Sequence, residues 1–217
     1  MLAAIGTGWD ADRHPTWGCA VYLAVTSTST LLLDGHQLNF GFEVMSPESA
    51  DEPAAFAALM DERMVACRRR AKTLAGHNLV PDLDRLDHCA TARRLRGVDG
   101  VRQQWTNRTV KGRGMASMVD TAHDIALPGD LRPASLAAAC EHANLQLVLV
   151  ADPPDLAPAS TVRNALACTL AVALIAARST GRYTWTSTLD VDHLVTDAAW
   201  DLLAELDQTR LGQTPTR

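Results

Sequence analysis

The side chains best suited to chemistry fall in a few places along the chain. Between residues 93 and 113 stand seven basic residues, Arg93, Arg94, Arg96, Arg102, Arg108, Lys111 and Arg113, against one acid, Asp99, with Trp105 among them. Arginines around an aromatic ring suit a phosphate backbone and a stacked base. The plainer alternative is a solvated loop. Asp84 and His88 are four apart, which on a helix makes either a weak metal pair or, more simply, a surface ion pair. His77 and Asn78 precede Pro81 and Asp82, and an acid beside a proline at a helix start is also what capping and the macrodipole favour on their own. Asp10 and Asp12 follow the first apolar run, and Glu43 lies in a later one. Neither a dinucleotide fingerprint nor a Walker pattern nor a Gly-x-Ser-x-Gly elbow occurs, and Gly6-Thr7-Gly8 is too short for a phosphate loop. The five cysteines, at 19, 67, 89, 140 and 168, form no Cys-x-x-Cys pair. They indicate neither a disulfide framework nor a structural zinc site, and a reduced cytoplasmic setting is expected.

The elements that must position these residues follow from apolar periodicity. Residues 2–5 read as a short strand ended by the glycines at 6 and 8. Residues 17–25 read as a central strand, and 37–45 alternate like a half-buried one. A helix over 54–70, a strand over 72–76 and a helix over 81–95 come next. Residues 97–114 show no period and read as a loop. Helices are expected over 133–143, over the apolar stretch beginning near Ser160, and over 197–206, with the last ten residues frayed. Three strands, helix, strand and then several helices is an α/β order. Its antiparallel opening excludes a purely parallel sheet, so a mixed sheet flanked by helices in a ribonuclease-H-like layout is the expectation.

The 217 residues carry a formal charge of −5 and are 47% hydrophobic, enough for one sizeable core. That charge argues against a surface that coats nucleic acid everywhere and still permits a local basic patch. Residues 165–177 are apolar except for Thr169, too short a run to span a bilayer, and the N-terminus has no signal-peptide pattern. No membrane association is expected.

The stretch Ala75-Gly76-His77-Asn78-Leu79-Val80-Pro81-Asp82 resembles the second motif of the DnaQ-like (DEDDh-type) 3′–5′ exonucleases, with Asn78 and Asp82 at matching positions and Pro81 where phenylalanine is usual. Asp120-Thr121 resembles the Asp-Thr strand end of that family. The segment from Pro133 through Ser135 and Leu136 to Cys140 resembles its Ser-Leu helix, and Arg163-Asn164-Ala165-Leu166-Ala167-Cys168 resembles its third motif. The matches come in the family's order and cover residues 1–178, which implies an exonuclease-fold domain there and a C-terminal extension over 179–217 packed on it.

In that family four carboxylates hold two magnesium or manganese ions and a histidine activates water, so oxygen ligands are essential. Carried onto this chain, the first-strand acids fall at Gly6 and Gly8, the histidine at Arg163 and the last acid at Cys168. Only Asp82 is retained as a catalytic-type acid. The resemblance therefore implies a catalytically degenerate protein with no metal ligand set and no cofactor. Its expected partner is nucleic acid or a nucleotide, bound by Asn78, Arg102, Trp105, Arg108, Lys111 and Arg113, with Arg163 at the general-base position. Two other readings stay open. One is an active magnesium- or manganese-dependent exonuclease in which Asp10, Asp12 or Glu43 replace the missing acids. The other is a protein-interaction scaffold, with a homodimer as one form.

Overall fold

The central strand β1 (Leu2–Trp9) sends Leu2 and Ala4 to one face and Ala3 and Ile5 to the other, and all four are buried. This is the pattern of a strand covered on both sides. It comes from a computed structural model that describes residues 1–26, 29–33, 38–47, 53–90, 93–107, 116–125, 133–149 and 158–211. The second strand, β2 (Pro15–Leu23), runs antiparallel to β1 and opens on a proline, a position where the missing N–H is tolerated. After the two-residue β3 (Leu31–Leu32), β4 (Phe40–Met45) pairs antiparallel with the outer side of β2.

The chain then crosses over through α1 (Pro53–Arg70), which ends on Arg68, Arg69 and Arg70, where the helix dipole favours positive charge. It returns as β5 (Thr73–Gly76), parallel to β1. The helices α2 (Val80–Cys89) and α3 (Arg96–Thr106) follow, then β6 (Ser117–Asp120), parallel to β5. The order across the mixed sheet is β4-β2-β1-β5-β6.

The last third of the chain comprises α4 (Leu136–His142), β7 (Leu145–Gln146), α5 (Pro158–Ser179), β8 (Tyr183–Thr184), β9 (Leu189–Asp190) and α6 (Val191–Leu211). One small parallel pairing, β3 with β8, stitches it to the body, and a second, β7 with β9, lies within it. Ser135 caps α4 by accepting the Ala138 N–H at 3.2 Å.

Helices cover both faces of the sheet. Phe56, Met60 and Met64 of α1, with Leu83, Leu86, Val98 and Val101 of α2 and α3, pack on Ala3, Ile5, Ala20 and Leu74. On the other face α5 lies against Leu2, Ala4, Cys19 and Val21, with α4 and α6 beside it. Among the described residues α5 is the one helix long and apolar enough to cross a membrane, and 67% of its apolar window is buried inside the protein. Leu189, Val191, Leu194 and Val195, from the expected C-terminal extension, belong to the same buried cluster as α5.

Several elements depart from the sequence reading. β1 does not stop at Gly6 but continues to Trp9, because cross-strand bonding to β2 carries it past the glycines. The third sheet strand begins at Phe40, and Gln37 lies outside the described residues. The second helix ends at Cys89, and the last helix starts at Val191 rather than 197 and is kinked at Ala199. The largest correction is α3, where a loop was expected. Gly97 and Gly100 lower its helix propensity, but both are buried and close approach needs them. A Cβ on Gly97 would lie 2.2 Å from the Asp61 carbonyl oxygen. Tertiary packing overrides local propensity here.

Candidate functional site

The parallel strands β1, β5 and β6 run in the same direction, so their C-terminal ends and following turns meet at one edge of the sheet, the end where ligands bind in open α/β folds. A cavity of about 190 Å³ opens there, walled by Ile5, Gly6, Thr7, Trp17, His77, Leu79, Asp82, Leu136, Cys168, Thr169 and Val172. Residues 6, 82 and 168, on β1, α2 and α5, thus line one space although they are far apart in sequence. The walls are mostly apolar, with a few polar groups converging.

Asp82 is the one carboxylate in the lining. It stands in the first turn of α2, its side chain 17% exposed, and accepts from Arg85 Nη1 at 3.1 Å. Burial pushes its carboxyl above the usual carboxylate range, while hydrogen bonds from Thr7 and Trp9 and the Arg85 guanidinium pull it back down. Its oxygens are therefore engaged by three neighbours. Cys168 is pushed up to about 11 by burial and stays a thiol at neutral pH. Burial holds the His77 imidazole below its ordinary value, with Asp120 opposing, and its Nδ1 lies 3.0 Å from Thr121 Oγ1.

Trp17 closes one side. The β1–β2 register sets it opposite Gly8, and cross-strand partners project to the same face. Its indole lies across both glycines of β1. A Cβ on Gly8 would sit 2.1 Å from Trp17 Nε1, and one on Gly6 would sit 2.8 Å from Thr169 Oγ1 and 3.2 Å from the Trp17 ring.

The other expected site residues are placed as follows. Asn78 adopts a left-handed backbone conformation, φ 49°, which asparagine tolerates, and its N–H donates to Asp120 Oδ1 at 3.1 Å. Trp105, expected as a stacking surface, is instead 1% exposed, and its Nε1–H donates to Asp120 Oδ2 at 3.1 Å. A large ring facing the core from α3 buries more apolar area than it could offer to a ligand. Arg102 binds Asp84 at 3.1 Å and also pairs with Asp87, holding α3 to α2. Arg108, Lys111 and Arg113 lie outside the described residues.

Arg163 is not among the residues lining the cavity. It makes a forked ion pair with Asp192 of α6, which together with hydrogen bonding raises its pKa further, and it reaches Thr196 Oγ1 at 3.3 Å. The acids considered as replacements lie elsewhere too. Asp10, Asp12 and His14 cluster, exposed, on the β1–β2 turn, and Glu43 pairs with Arg63. None of them lines the cavity with Asp82.

Sequence reasoning missed Trp17, Thr169 and Leu136 as walls of this space. Trp17 was legible only through the hairpin register that sets it over Gly8. Comparison with known protein families, with curated proteins and with solved structures finds no match.

Proposed function

We propose that this chain is a catalytically degenerate DnaQ-like exonuclease-fold protein with a ribonuclease-H-like sheet, which binds nucleic acid or a nucleotide without metal-dependent hydrolysis. One observation carries the reading. Three of the positions that the resemblance assigns to the acids, Gly6, Asp82 and Cys168, line one cavity at the C-terminal edge of β1. The sheet supports it as well, with three antiparallel strands followed by two parallel ones in the order β4-β2-β1-β5-β6. The donor set does not fit a pair of magnesium or manganese ions. Such ions need several oxygen ligands, and the walls offer one carboxylate, already hydrogen-bonded, beside a neutral thiol and hydroxyls. The placement of Asp10, Asp12 and Glu43 away from the cavity weighs against an active enzyme with displaced acids.

The nucleic-acid contact is assigned to the basic stretch beyond α3. Because Arg102 and Trp105 are tied into the fold, phosphate contact falls to Arg108, Lys111 and Arg113. Binding of a labelled single-stranded oligonucleotide, followed by anisotropy against salt, tests this. Changing the three residues to alanine is expected to weaken binding and flatten the salt slope by about one unit per lost contact. Salt-independent binding, or none, would contradict the reading.

A further inference from the structure

Besides its missing ligands, the disagreement between the cavity and a two-metal site has a steric side. We propose that Trp17 is the specificity-determining residue of this cavity: its indole occupies the side-chain space of positions 6 and 8 and so excludes divalent cations from the end of β1. The proposal rests on the functional reading above.

The geometry is direct. Gly8 and Trp17 are cross-strand partners, and a Cβ on Gly8 would fall 2.1 Å from Nε1, 2.4 Å from Cε2 and 2.6 Å from Cδ1 of the ring. No side chain, acidic or otherwise, fits at position 8 while the indole stays. At Gly6 the ring and Thr169 Oγ1 both crowd the same space. Thr169 cannot give way freely, because its Oγ1 donates to the Ala165 carbonyl at 2.8 Å inside α5. The Trp17 ring, partly buried, packs against the cluster that contains α5. A large ring lining the same cavity as the remaining carboxylate also makes that cavity less favourable for a charge. The glycines are therefore a requirement of Trp17 as much as a loss of acids.

A double-mutant cycle tests the contact and a metal titration tests its consequence. Gly8→Ala is expected to lower the denaturation midpoint clearly in the parent and much less in a Trp17→Ala background. The three substitutions Gly6→Asp, Gly8→Glu and Cys168→Asp are then combined, with and without Trp17→Ala, and titrated with manganese alone by calorimetry. Manganese binding at least about tenfold tighter in the Trp17→Ala background is the expected result. Equal cost of Gly8→Ala in both backgrounds, or equally tight manganese binding with Trp17 intact, would overturn the proposal. If the acid-bearing variant with Trp17 intact does not fold, the Gly8→Ala cycle decides the contact, and manganese titration of Cys168→Asp with and without Trp17→Ala decides the exclusion. A strong cycle with no manganese binding in either background would instead overturn the assignment of this cavity, and the exclusion of cations with it.

Discussion

At Asp120, 2% exposed at the end of β6, four donors converge on one carboxylate. The backbone N–H groups of Asn78 and Ala122 reach Oδ1, while Trp105 Nε1 and His123 Nδ1 reach Oδ2. A buried carboxylate is tolerated when its lone pairs are filled in this way. It fixes the turn carrying His77 and Asn78 against the cavity. His77 is the titratable consequence. Burial depresses its pKa in the fold below the ordinary 6.5, so the unfolded chain takes up the proton first as pH falls. Stability from this group is full above about 6.5 and is lost on acidification below it. Asp82 acts in the opposite sense at lower pH, since its raised pKa means that protonation favours the fold. Denaturation midpoints measured between pH 7.5 and 5 are therefore expected to fall for the parent and to fall less for His77→Gln. Equal slopes in the two proteins would remove His77 as the cause.

Among the elements, α3 depends on a cap from another helix. Asp61, buried in α1, accepts the N–H groups of Gly97 at 2.6 Å and Val98 at 2.9 Å, two of the donors that a helix N-terminus leaves unpaired. Asp61→Ala is expected to cost about 1–2 kcal/mol in chemical denaturation, with Asp61→Asn costing less. A neutral Asp61→Ala would mean that water caps α3 equally well. The same contact explains what the sequence could and could not disclose. Apolar alternation and helical spacing made β2, α1 and most of α5 legible. The cap of α3 comes from 36 residues upstream, and its glycines serve close packing, so no local signal marks the helix. The continuation of β1 to Trp9 was hidden for the same reason, because strand pairing rather than composition sustains it. Asp82 and Cys168 were legible as members of one site only through their resemblance to motifs. Arg163 was not legible as a structural tie, because its partner Asp192 stands at the start of a helix read as beginning later.

Over the whole molecule, the sheet and its two helical layers bring residues 5–7 of β1 and the turn after β5 together around one small cavity. The C-terminal part is built into this core. Leu189, Val191 and Leu194 are buried with α5, Arg163 ties α5 to α6, and Arg178 lies over the Trp185 ring at 4.6 Å. The helix that supplies Cys168, Thr169 and Val172 to the cavity is thus packed against α6, and Trp17 lines the same cavity. The function proposed above is binding of nucleic acid without metal and without hydrolysis. Its most direct test incubates the protein with a 3′-labelled single-stranded oligonucleotide, in EDTA and in manganese, measuring bound fraction and released mononucleotide together. Equal binding in both conditions and no release above the no-protein control are expected. Binding that disappears with EDTA, or manganese-dependent release of mononucleotide that Asp82→Ala abolishes, would contradict it.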